Sequence, residues 1–119
     1  MTTADEMQQL GAGRFGDDLR ASGIAWTHLP VTDFGAPSEA TDRAWKGVSA
    51  AAANALLRGG RVLAHCRGGC GRSGMIVLRL MVEHGEDADA ALSRLRRVRS
   101  CAVETDGQME WAMRPGQAR

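Results

Sequence analysis

The sequence predicts an α/β domain. Short apolar runs at residues 24–31 and 61–65 have the length and composition of strands, helical stretches alternate with them, and the second run enters a helix through a glycine-rich turn. A chain of 119 residues suffices for one domain with one modest core, so residues 1–119 are read as a single unit.

Each element has a local reason. Residues 2–11, "TTADEMQQLG", start a short helix with Thr3 or Asp5 near its cap. "DDLRASG" gives one or two helical turns closed by Gly23. "IAWTHLPV" (24–31) is a strand stopped by Pro30, and "TDFGAPSEA" (32–40) is a loop broken by Gly35 and Pro37. A long helix follows over about 39–58, capped by Ser38 or Thr41, rich in alanine and ended by Gly59-Gly60. "RVLAH" (61–65) is a short buried strand. From Arg72 or Ser73 to His84 the chain is apolar on most faces, the mark of a core helix closed by Gly85. "EDADAALSRLRRV" opens on acids and closes on arginines, as the helix dipole favours. "ETDGQMEWAM" forms the last helix.

Composition excludes several function classes. The net charge is +1, which leaves no footprint of a nucleic-acid or membrane-surface binder. Lys46 is the only lysine among 15 basic residues, a bias that discounts arginine clusters, so Arg94, Arg96, Arg97 and Arg99 read as a solvated face, with Arg99 a candidate for a further role because it opens the segment "RSCAVETDGQMEW". No signal peptide and no apolar run near the ~18 residues of a membrane span is present, which predicts a cytoplasmic protein. Cytoplasmic thiols stay reduced, and three cysteines, an odd count, do not make a disulfide framework. Trp26, Trp45 and Trp111 read as core or partly buried residues and His28 as a strand residue packing under the loop that follows.

The chemistry concentrates in "HCRGGCGRSG", residues 65–74, between a strand and a helix. A glycine-rich turn at a helix N-terminus aims backbone N–H groups at one point, an anion site made by Arg67, Gly68, Gly69, Cys70 and Gly71. Cys66 opens this loop, where a helix terminus and nearby cations lower a thiol pKa and create a nucleophile. Arg72 is placed to grip two phosphoryl oxygens through parallel hydrogen bonds. Ser73 supplies a hydroxyl that stabilises the thiolate as a leaving group. A zinc site on His65, Cys66 and Cys70 lacks a paired second half.

The pattern H-C-x5-R-S resembles the signature loop of the cysteine-dependent protein tyrosine and dual-specificity phosphatases. The resemblance implies a phosphatase-like central sheet flanked by helices. It also implies a phosphocysteine intermediate, with Cys66 as nucleophile, Arg72 as phosphoryl clamp, Ser73 as thiolate donor and His65 orienting the cysteine. "HLPVTDFGAP" resembles the family's general-acid loop, with Asp33 as acid, and its D-x-G-x-P is nearest the kinase-associated phosphatase (cyclin-dependent kinase inhibitor 3) branch and its bacterial relatives. "RSCAVETDGQMEW" resembles the segment whose glutamine positions the hydrolytic water, here Gln108, with Ser100-Cys101 replacing the family's Pro-Gly. Thr105-x-x-Gln108 also reads as a capping box. The family's N-terminal strands have no counterpart here, so the domain reads as N-terminally truncated.

The implied activity is hydrolysis of phosphotyrosine, and of phosphoserine or phosphothreonine, in a protein or a small phosphoester, without metal or other cofactor. The alternatives are a non-catalytic phosphate-binding module and an arsenate reductase, whose loop sits nearer the N-terminus. Cys70 is either a small semi-buried apolar residue or a disulfide partner that protects Cys66 from over-oxidation, a part Cys101 could also play.

Overall fold

The computed structural model describes residues 1–117. Its regular structure is helical, and the helix starts follow the caps in the sequence. In α1 (Ala4–Gln9) Thr3 Oγ1 accepts from the Glu6 N–H at 3.2 Å and Glu6 Oε1 accepts from the Thr3 N–H at 3.1 Å, so two end donors are satisfied reciprocally. α2 (Phe15–Ala21) begins ahead of the acidic pair Asp17-Asp18, and Phe15 meets the His65 ring edge-on at 5.5 Å. α3 (Glu39–Leu57) is capped by Ser38, whose Oγ accepts from the Thr41 N–H at 3.3 Å. It stops where Gly59 takes φ +77°, the left-handed conformation that ends many helices.

The core is organised around α4 (Gly71–Glu83). Met75, Ile76, Leu78, Leu80 and Val82 are all buried, as the apolar run predicted. α4 packs against α6 (Asp106–Gln117) and α5 (Ala88–Val98), the latter capped by Asp87. Trp45 of α3 and Trp111 of α6 meet edge-to-face at 5.3 Å beside it, and Arg79 lies over the Trp111 ring at 4.3 Å. Both indoles find acceptors: Trp45 Nε1 donates to Glu83 Oε2 at 3.0 Å and Trp111 Nε1 to Asp42 Oδ1 at 2.7 Å. Burial pushes the Glu83 carboxyl up, but donors from Ser49, Trp45 and Arg79 outweigh it and hold the group below its ordinary value.

The expected central sheet is not there. No strand forms among the described residues, both predicted strands, 24–31 and 61–65, are extended but unpaired, and the second is not buried, since Val62 and Leu63 are exposed. The reason lies between them. The Met1 amine donates to His65 O at 2.9 Å, and the Val31 N–H donates to Met1 O at 3.0 Å. His28 Nε2 lies 2.6 Å from Thr2 O. Residues 1–2 thus separate the two segments while bridging them over too short a length for a ladder. A strand is stabilised by repeated pairing along its length, which one residue does not supply.

Beyond Met1 the segments flank an apolar cavity of about 630 Å3, lined by Leu19, Trp26, Val48, Leu63, Ile76 and Leu80 among others. Trp26 and His28 still stack on one side of their segment, 5.5 Å apart, as alternation in extended backbone requires. Among the described residues no helix is long and apolar enough to cross a membrane.

Close approach fixes how α4 sits. A Cβ on Gly74 would lie 2.8 Å from Ala102 Cα and from Val103 N, so only glycine lets this helix touch that backbone. Gly47, in α3, faces open space. Gly74→Ala is expected to cost about 1–2 kcal/mol after the helix-propensity gain is counted. Gly47→Ala is expected to stabilise by about 0.5–1 kcal/mol. Thermal unfolding should show Tm falling for the first variant and rising for the second; equal shifts would contradict the packing at Gly74.

Candidate active site

The loop from Cys66 to Arg72 starts where the extended segment 61–65 ends and closes on the first turn of α4. Gly69 takes φ +72° within it, which explains a glycine there. The fold brings Asp33, Cys66, Arg67, Gly68, Cys70 and Arg72 together in one cleft of about 360 Å3, lined also by Phe34 and Glu104, whereas His65, Gly69, Gly71, Ser73 and Gln108 do not line it. The larger cavity between the extended segments contains none of Cys66, Arg72 and Asp33.

Cys66 Sγ lies 3.3 Å from Ser73 Oγ. Partial burial pushes the thiol up, but hydrogen bonds from the Ser73 hydroxyl and from the backbone at Ser73, Gly69 and Cys70 outweigh it. The net effect is a thiol below its ordinary value, the property a sulfur nucleophile needs. The His65 ring packs on Phe15, and its backbone carbonyl takes the Met1 amine.

Arg72 is 2% exposed and surrounded by acceptors. Its Nη1 donates to Glu6 Oε1 at 2.5 Å and to Val31 O at 2.9 Å, with Met1 O at 3.4 Å. Its Nη2 donates to Glu6 Oε2 at 2.8 Å and lies 3.5 Å from Asp33 Oδ1. The hydrogen bond to Glu6 is the largest influence raising the Arg72 pKa, and the same bond pulls the Glu6 carboxyl down to about 2. Asp33 itself is 55% exposed at the cleft mouth and accepts from the Phe34 N–H at 3.0 Å.

The segment after α5 holds the loop from outside. Arg99 Nε donates to Gly69 O and Nη2 to Gly68 O, both at 3.0 Å. Glu104 Oε1 accepts from the Gly71 N–H at 2.9 Å, a carboxylate at a helix N-terminus. Gln108 is fully buried: its Oε1 accepts from the Glu104 N–H at 2.8 Å and its Nε2 donates to Gly35 O at 3.1 Å. Half of the anticipated capping box forms, with Thr105 Oγ1 accepting from the Gln108 N–H.

Three expectations are corrected here. The cysteines are not all reduced: Cys70 is bonded to Cys101, their Cα atoms 5.1 Å apart and within bridging range. Cys66 remains the free thiol, so neither Cys70 nor Cys101 is joined to it. The arginine run is not simply solvated, because Arg96 donates to Ala102 O and Val103 O while Arg99 holds the loop. Sequence reasoning missed Glu6 as a site residue and had Glu104 only as a match to the segment "RSCAVETDGQMEW". Among the described residues no group of His, Cys, Asp and Glu side chains is placed to hold a metal ion.

A family model for the dual specificity phosphatase catalytic domain matches residues 8–117. The chain belongs to that family. Two solved structures are similar to this phosphatase domain. One is Tk-PTP in its active form, 34% identical, with a TM-score of 0.74 over 87% of this chain and 69% of that one. The other is kinase associated phosphatase (KAP) with serine in place of its catalytic-site cysteine, 25% identical, with a TM-score of 0.80 over 92% of this chain. The domain spans 62% of that KAP chain. No curated protein matches.

Ser73 offers a direct test of the cleft's electrostatics. Ser73→Ala removes a donor that lowers the Cys66 pKa, so the pH at which Cys66 alkylation by iodoacetamide becomes half-maximal should move upward. The limiting rate at high pH should stay the same. An unmoved midpoint would show that the hydroxyl does not stabilise the thiolate.

Proposed function

We propose that this phosphatase domain hydrolyses phosphotyrosine, and phosphoserine or phosphothreonine as well, through a phosphocysteine on Cys66. The observation that carries this reading is the shared cleft. A thiol with a lowered pKa, a buried guanidinium and a carboxylic side chain line one cavity. Separately each has a structural explanation; together they are the parts of a phosphoryl transfer.

The mechanism runs in two steps. The Cys66 thiolate attacks phosphorus while the bond to the leaving oxygen breaks, and Asp33 gives that oxygen its proton. Arg72 and the loop N–H groups meet the charge spread over the equatorial oxygens. Water then attacks the phosphocysteine, Asp33 takes the water's proton, and the thiolate departs stabilised by Ser73. Inorganic phosphate leaves with Asp33 protonated again. Gln108 enters through the acid loop, since its amide holds Gly35 two residues from Asp33. Arg67, exposed at the rim, adds positive field for acidic substrates. No step needs a metal. The similarity to a phosphatase described as kinase associated supports a phosphoprotein substrate.

The test is hydrolysis of para-nitrophenyl phosphate and of a phosphotyrosine peptide. Cys66→Ser should abolish both. Asp33→Asn should lower kcat by about 10²–10⁴-fold on the peptide, whose leaving group needs a proton. EDTA should change nothing. Turnover that survives Cys66→Ser, or that EDTA removes, would overturn the mechanism; a folded protein that binds phosphate without turnover would favour a binding module.

A further inference from the structure

Three glycines, Gly68, Gly69 and Gly71, stand between Cys66 and Arg72, so the loop's own sequence leaves its backbone free to take many shapes. What holds it comes from outside, from the stretch 99–104. Arg99 donates to Gly68 O and Gly69 O, and Glu104 accepts from the Gly71 N–H. Those ties are hydrogen bonds, the Arg99 pair is exposed to solvent, and water competes for the same groups. The remaining tie is the Cys70–Cys101 disulfide, which water does not exchange. No proline stiffens the turn at Ser100-Cys101, so the bridge also limits what that turn can do.

Cys70 is the loop residue where a small movement matters most. Its N–H, with those of Gly69 and Ser73, is directed at the Cys66 sulfur. It is also the N-cap of α4, at φ −113° and ψ −91°, and no side-chain hydrogen bond caps the helix there. We propose that the Cys70–Cys101 bridge is a positioning element for the Cys66 loop, and that its reduction by a dithiol turns the site down. This rests on the phosphatase reading of the cleft. The bridge is within reach of such a reagent: both cysteines are half-buried, and Cys70 lines the cleft. One dithiol sulfur attacks the bridge to form a mixed disulfide, and the second then displaces the protein sulfur. Cys70 and Cys101 end as thiols, with two electrons and two protons from the dithiol, which leaves as its own disulfide. Cys66 takes no part. Oxidation of Cys66 itself would also stop the reaction. The site therefore works with the bridge closed and Cys66 reduced, and the bridge responds to reductant with a sign opposite to that of the nucleophile.

The test compares the air-oxidised full chain with the same protein in dithiothreitol. Under denaturing conditions the first should show one free thiol and the second three. Reduction should lower kcat/KM for para-nitrophenyl phosphate, and weaken inhibition by inorganic phosphate, by about 10-fold to 10²-fold, the scale of a mispositioned catalytic group. The pH midpoint for alkylation of the Cys66 peptide should move upward as the Cys70 N–H leaves the sulfur. Cys70→Ala and Cys101→Ala, assayed in dithiothreitol so that no other pair forms, should each match the reduced wild type. The double variant should add nothing, because the same bond is lost in each. Alanine is used because serine at an N-cap would supply a new helix cap. Wild type whose turnover stays within twofold on reduction would overturn the inference. So would three thiols in the air-oxidised protein, or losses that add in the double variant. Unfolding of the reduced protein at the assay temperature would overturn it too, since the bridge would then support the fold and not the loop. Bridged protein without Cys66-dependent turnover would instead remove the phosphatase reading, and the alkylation midpoint would still report whether the bridge holds the loop.

Discussion

A buried cation must be surrounded by acceptors, or it destabilises the fold that buries it. Arg72 meets that requirement by collecting partners from two distant parts of the chain: Glu6 and Met1 at the N-terminal end, and Val31 and Asp33 from the segment leading out of 24–31, all gathered onto the first turn of α4. These segments do not pair as strands, so they depend on such side-chain ties for their relative placement. The same guanidinium that would bind phosphate thus organises the region around the cleft.

The other side of the loop is held by the stretch between α5 and α6. Arg99 takes two loop carbonyls, Cys101 is bonded to Cys70, and Glu104 takes the Gly71 N–H. This stretch in turn packs against α4 where Gly74 lacks a side chain, and Arg96 secures its carbonyls. Val103 adopts φ +65°, which is costly for a β-branched residue and persists because its neighbours fix it from both directions. Gln108 links this stretch to the acid loop through Gly35. The Cys66–Arg72 loop, by way of Glu104, and the loop carrying Asp33, by way of Gly35, are therefore both linked to one buried side chain, and the first loop's shape does not rest on its glycines alone.

Much of the site was legible because it is local. The spacing of Cys66, Arg72 and Ser73 within a strand-like run, a turn and a helix already defines an anion loop with a thiol at its base. The helices were legible too, since Thr3 and Ser38, each one of two candidates in the sequence, are the caps. Glu6 was not, because its capping role explains it completely from sequence and its partner is 66 residues away. Glu104 and Arg99 were legible only as members of the segment "RSCAVETDGQMEW", because their loop partners lie 30 to 33 residues away. The sheet was misread for a different one: residues 24–31 and 61–65 have strand composition, but pairing is a property of neighbours, and only residues 1–2 lie between them. Cys70 and Cys101 were judged by count and compartment, whereas their bond follows from the loop coming to rest against the stretch before α6.

The proposed hydrolysis turns on a covalent bond between Cys66 and phosphorus. The most direct measurement is rapid acid quenching of the Asp33→Asn protein during turnover of para-nitrophenyl phosphate, a substrate whose leaving group needs no proton, followed by peptide mass spectrometry. One phosphoryl group is expected on the peptide carrying Cys66, since loss of Asp33 slows the water step. A phosphoryl group on any other residue, or steady turnover with Cys66 unmodified, would contradict it.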